Sequence, residues 1–142
     1  MATTIYFSGA ISGGRADVAL YRRIVEMLES EGYRVLAGAV AAEHVGAAGE
    51  TLHPPDICAR DLGWLDQSDL VVAEVSVPSL GVGYEIAYAT RNQIPVIALY
   101  RTAFTQRCSA MIAGDPGVHL IEYQDASAML PALLESIRRL RR

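Results

Sequence analysis

Three carboxylates stand where a charge is hard to keep. Glu85 interrupts the small, apolar stretch PSLGVGYEIAYA at residues 78–89, Glu74 closes the run VVAE, and Asp61 precedes Trp64 and Leu65 by three and four residues. A carboxylate among apolar neighbours must be paired or must open onto a crevice. One that is partly desolvated in a cleft is suited to act as a nucleophile or a general base. Each also has a plainer reading. Glu85 falls in the first turn of a helix starting at Val82, where negative charge complements the dipole. Asp61 fits a helix surface beside a structural tryptophan, and Glu74 fits a buried pair. Gly81 and Gly83 favour chemistry at Glu85, because they clear side chains from its approach and a surface cap needs no such clearing.

The loop SGAISGGR, Ser8 to Arg15, is the second candidate. Gly9 and Gly14 satisfy the glycines of a G-x-x-x-x-G pattern, but Arg15 and Ala16 stand where a triphosphate loop needs lysine and a hydroxyl residue. Neither this loop nor Gly81–Gly83 reads G-x-G-x-x-G, which argues against a dinucleotide. Backbone N–H groups with Ser8, Ser12 and Arg15 would suit a monophosphate, and a tight strand-to-helix turn is the alternative. Cys58 and Cys108 lack the spacing of a metal site or a disulfide framework and read as ordinary thiols. His44, His53 and His119 show no catalytic spacing and read as structural or solvated.

These residues need a frame to hold them. TTIYFS, residues 3–8, reads as a first strand ending at glycine. From Asp17 the apolar residues recur at helical spacing until Gly32. YRVLAGAV predicts a second strand, followed by an irregular connection to Pro55. Asp56 is placed to cap a helix running to about Gln67. DLVVAEVS predicts a third strand, of the continuous apolar kind buried on both faces of a parallel sheet. A helix over 82–92, strands IPVIALY and VHLIEY, and a final helix carrying Met129, Leu133 and Ile137 complete the chain. The alternation predicts an α/β fold, a flavodoxin-like, doubly wound, five-stranded parallel sheet in one domain over residues 1–142. Ligands of such sheets bind beyond the carboxyl ends of the strands, so the informative loops are those following strands one, three and four.

A length of 142 residues fits one domain, and no apolar block approaches the ~20 residues of a membrane span. The start, MATTIYFSGA, enters a strand directly with no leader pattern, which predicts a cytoplasmic protein. The net charge of -4 offers nucleic acid no broad attraction, and the basic RRLRR suits the end of a helix.

Three segments together, IYFSGAISGGR, RDLGWLDQSDLVVAEVSVPSLGVGYEIAYA and CSAMI, resemble the 2'-deoxynucleoside 5'-phosphate N-hydrolases, relatives of the nucleoside 2-deoxyribosyltransferases. The likeness runs from Ile5 to about Tyr123, in the same order and with similar spacing. It implies hydrolysis of the N-glycosidic bond of a deoxynucleoside 5'-monophosphate, giving free base and 2-deoxyribose 5-phosphate through a covalent glycosyl-glutamate. By the same resemblance Glu85 is the nucleophile, Asp61 orients the site and protonates the departing base, and Tyr6 lies near the nucleophile. The loop Gly9, Ala10, Ile11, Ser12, Gly13, Gly14 and Arg15 would wrap phosphate and sugar, with Ser79 and Gly81 on the phosphate side. Ser109, with Ala110 and Met111, would come from the neighbouring subunit of a homodimer. No metal or organic cofactor is implied, and neither a nucleic acid nor a membrane partner.

Two departures from that pattern carry weight. Relatives read G-S-I-R-G-G-R where this chain has GAISGGR, so Ala10 and Ser12 replace a serine and an arginine. They also read T-E-H-V where this chain has AGAV, leaving the histidine without a counterpart unless His44 reaches in. Base exchange by a deoxyribosyltransferase and a non-catalytic nucleotide-binding domain are the alternative readings.

Overall fold

β-branched and aromatic runs separated by amphipathic stretches build alternating strands and helices, and the computed structural model describes residues 2–11, 17–37, 52–102 and 107–142. In chain order these are β1 (Thr4–Gly9), α1 (Val18–Ser30), β2 (Arg34–Leu36), α2 (Pro54–Asp66), β3 (Leu70–Glu74), α3 (Leu80–Arg91), β4 (Val96–Arg101), α4 (Ala110–Ala113), β5 (Val118–Tyr123) and α5 (Ala126–Leu140). The five strands form one sheet in the order β2-β1-β3-β4-β5, and every neighbouring pair is parallel. This is the flavodoxin-like order expected from the alternation.

Side chains alternate across the strands and sort the core into two layers. Ile5, Phe7, Leu70, Val72, Ile97 and Leu99 meet Tyr21, Ile24 and Leu28 of α1 and Met129, Leu133 and Ile137 of α5. On the other face Tyr6, Val71, Ala73, Val96 and Ala98 meet Leu65 of α2 and Val82, Ile86 and Ala89 of α3. α1 stops at Gly32, whose φ of +92° suits glycine. There the Tyr33 and Gly32 amides return to the Leu28 and Glu29 carbonyls, closing a Schellman motif.

Two helix starts differ from expectation. α2 begins at Pro54 with prolines at its first two positions, where a missing N–H leaves no bond unmade, so Asp56 lies inside the first turn and does not cap it. α3 begins at Leu80 because the Ser79 hydroxyl accepts from the Val82 amide at 3.3 Å. Glu85 therefore sits in the second turn and not the first. The single turn α4 follows Ser109, where only a loop was expected.

Candidate active site

The strand order reverses between β1 and β3, and the crevice beyond the carboxyl ends of that pair is the ligand position of this topology. Three elements converge there. β1 turns Tyr6 and Ser8 towards α3, α3 lays Glu85 over them, and α2 brings Asp61 to the same wall.

Both oxygens of the Glu85 carboxylate accept hydroxyl protons. The Tyr6 phenol donates a short bond to Oε2, and Ser8 Oγ donates to Oε1 at 2.8 Å. Burial pushes the Glu85 pKa above the ordinary carboxylate range, the Tyr6 and Ser8 bonds oppose that rise, and the Asp61 charge adds to it. The Tyr6 phenol is pushed up by burial and by the adjacent Glu85, so it stays protonated as a donor. Such a carboxylate is fixed in orientation and more basic than a solvated one, which suits nucleophilic attack. Asp61 pairs with the Arg60 guanidinium at 3.0 Å, and that guanidinium lies 4.8 Å from the centroid of the Trp64 ring.

Asp61 and Glu85 line an open cleft of about 840 Å3, with an apolar wall of Pro54, Ile57, Cys58 and Leu62 from α2 and Leu80 and Tyr84 from α3. Gly9, Ile11, Ser79 and Gly81 also line it. A smaller cavity of about 30 Å3 lies behind, bordered by Tyr6, Ser8, Arg60, Asp61 and Glu85. Gly9 is needed by the fold itself, since a Cβ there would come within 2.9 Å of the Tyr21 ring. Gly81 and Gly83 are different. A Cβ at Gly81 would meet only Ser79 Oγ at 3.9 Å and one at Gly83 nothing within 4 Å, so the fold requires glycine at neither, and of the two Gly81 lines the cleft.

The remaining expected residues fall apart. Ala10 is buried, and Ser12, Gly13, Gly14 and Arg15, like His44, lie outside the described residues. Ser109, Ala110 and Met111 are exposed and do not line the cleft of their own chain. Glu74 is fully buried on the opposite face of the sheet, hydrogen-bonded by the Ser76 amide and the Tyr123 phenol, and takes no part in this cleft. Ser8, expected among the loop donors to an anion, instead faces Glu85. The period-2 spacing from Tyr6 carries that placement. Cys58, three residues before Asp61, shares its helix face by spacing, whereas Arg60 and Leu62 are its chain neighbours and spacing alone does not bring them to the site.

Comparison with known proteins bears on this geometry. The family profile described as nucleoside 2-deoxyribosyltransferase matches residues 5–122. The chain belongs to that family. Among relatives, the 5-hydroxymethyl-dUMP N-hydrolase of Tetraodon nigroviridis is 46% identical over 112 residues, spanning 78% of each chain. The human protein of the same name is 47% identical over 112 residues, 78% of this chain and 64% of that one. A Clostridium botulinum CMP N-glycosidase superposes with a TM-score of 0.65 at 20% identity, covering 92% of this chain and 98% of that one. A 2-deoxyribosyltransferase from Bacillus psychrosaccharolyticus superposes at 0.68 with 13% identity, covering 90% of both. These two likenesses establish the shared fold of this deoxyribosyltransferase-family chain. Among the described residues no helix is long and apolar enough to cross a membrane.

Proposed function

We propose that the protein hydrolyses the N-glycosidic bond of 2'-deoxynucleoside 5'-monophosphates, with Glu85 as the nucleophile and Asp61 as the acid and base. The observation that carries this reading is the half-buried Glu85 carboxylate at the wall of a large cleft, with each oxygen held by a hydroxyl donor. A carboxylate so held presents a lone pair in one orientation. It attacks C1' as the bond to the base breaks, and Asp61, which is paired with Arg60 at rest, relays a proton from solvent to the departing base nitrogen. Water then attacks C1' of the glycosyl-Glu85 ester, its proton passes to Asp61, and Glu85 leaves as the carboxylate. The relatives named as nucleotide N-hydrolases support the same bond as the target.

In this reading the phosphate lies between the glycine loop and the head of α3, where Ser79 and the first helical amides offer donors. Ser109 reaches the site of a second copy. Its exposure outside its own cleft supports that role, as do Leu80 and Met111, which are 97% and 83% exposed, since exposed large apolar side chains of this kind are what a homodimer buries. The free thiols Cys58 and Cys108 fit a reducing, cytoplasmic setting.

Incubation with a panel of deoxynucleoside monophosphates and the free nucleosides, with and without a second base, followed by chromatography, tests the proposal. Release of free base from monophosphates is expected, with Glu85→Ala abolishing turnover while leaving nucleotide binding. Formation of a new nucleoside only when a second base is present would instead identify a transferase. Binding without release would identify a non-catalytic domain.

A further inference from the structure

Glu74 is a fully buried glutamate that the chemistry above does not use. Its Oε1 accepts from the Ser76 amide at 2.7 Å and its Oε2 from the Tyr123 hydroxyl. Ser76 Oγ in turn accepts from the Arg101 amide at 2.8 Å. The Arg101 guanidinium donates to both oxygens of Asp17, at 3.1 and 3.0 Å, across 84 residues of sequence. Asp17 stands at the N-cap of α1, where an aspartate ordinarily accepts from the helix amides, yet it makes no side-chain cap bond. Its carboxylate is committed to Arg101.

A buried ionic group is a weak way to stabilise a fold, because apolar residues of similar volume often do as well or better. Extending the run LVVA by one more aliphatic residue would have satisfied the sheet. What the carboxylate adds is connection. Asp17 is two residues past the end of the glycine loop at Arg15, Ser76 precedes Ser79 by three residues, and Arg101 ends β4, whose connection leads to Ser109. Gly9 and Glu74 are paired in register between β1 and β3, so the carboxylate lies at the root of these segments.

We propose that Glu74 is a positioning residue: through Ser76, Tyr123 and the Arg101–Asp17 pair it holds the start of α1, the residues just after β3 and the end of β4 in the mutual placement that the substrate phosphate requires. The assignment of a phosphate to that end rests on the function proposed above. The network itself does not. Asp17→Asn weakens the ion pair at its margin, Tyr123→Phe deletes one bond to Glu74, Glu74→Gln keeps one acceptor and sets an NH2 against the other donor, and Arg101→Lys keeps the charge but loses the two-pronged bond to Asp17.

Steady-state kinetics with a deoxynucleoside monophosphate should show KM raised about tenfold in Asp17→Asn and Tyr123→Phe, with kcat within about twofold of wild type, and a comparable change in Glu74→Gln and Arg101→Lys. Hydrogen exchange should accelerate at residues 21–24 and at the Ser76 and Arg101 amides together in both Asp17→Asn and Tyr123→Phe, whichever one is substituted. A fall in kcat at unchanged KM would overturn the positioning role, as would faster exchange confined to the substituted segment. If the wild type cleaves no monophosphate, the proposed function fails, and the exchange measurement still decides whether the segments are anchored as one.

Discussion

Replacing Ser8 by alanine removes one of two donors from the proposed nucleophile and little else, since Ser8 is 2% exposed in a packed strand and loses a single oxygen. A hydrogen bond to a charged acceptor contributes about 1.5–3 kcal/mol, and one pKa unit corresponds to about 1.4 kcal/mol, so full loss of the bond would raise the Glu85 pKa by roughly one to two units. The adjoining cavity of about 30 Å3 is large enough for a water, which can replace part of the missing bond. A rise of about one unit is therefore expected. The nucleophile works ionised, so activity falls as pH drops through that pKa, and Ser8→Ala should move the acid limb of the kcat/KM profile about one unit higher. On the plateau, looser orientation should lower kcat by about three- to tenfold. A pH–rate profile from pH 4 to 8 measures both. An acid limb and plateau that coincide with wild type would refute the claim that Ser8 holds the reacting carboxylate.

Asp61→Asn should lower kcat by roughly the 10²–10⁴-fold typical of an acid–base group, and an unchanged rate would return Asp61 to the helix surface. Glu74 and Glu85 both titrate above the usual carboxylate range because of burial, so the folded state holds their protons more tightly than the unfolded chain. Stability should then decline as pH rises above the usual carboxylate range through the folded-state values, and Glu85→Gln should flatten the dependence of melting temperature on pH above that range. A melting temperature that rises over that window in the wild type would contradict this. Gln93 occupies the left-handed region at φ 59° just past α3, and Gln93→Gly should stabilise the fold by about 0.5–1 kcal/mol in thermal melts, with destabilisation the contrary result.

The frame was largely legible because it is written in local signals. The apolar run LVVA could only be a buried strand, and Gly32 marked the end of α1 through its need for positive φ. Glu85 and Asp61 were legible as charges out of place. What local signals do not carry is pairing across the sheet. Tyr6 and Ser8 are 79 and 77 residues from Glu85, and Tyr123 is 49 from Glu74, so no periodicity reveals that one glutamate faces the cleft and the other an internal network. The start of α3 was misplaced for a simpler reason. PSLGVG has poor helix propensity, and the Ser79 cap with the packing of Val82 overrides it.

Formation of a bond between Glu85 and the sugar is the central claim. Rapid quenching of the protein during turnover of a deoxynucleoside monophosphate, followed by peptide mass spectrometry, tests it most directly. A 2-deoxyribose 5-phosphate adduct on the peptide containing Glu85, absent from Glu85→Gln, is the predicted result. Turnover without any adduct, together with inversion of configuration at C1', would mean that water attacks the nucleotide directly and that Glu85 serves only to activate it.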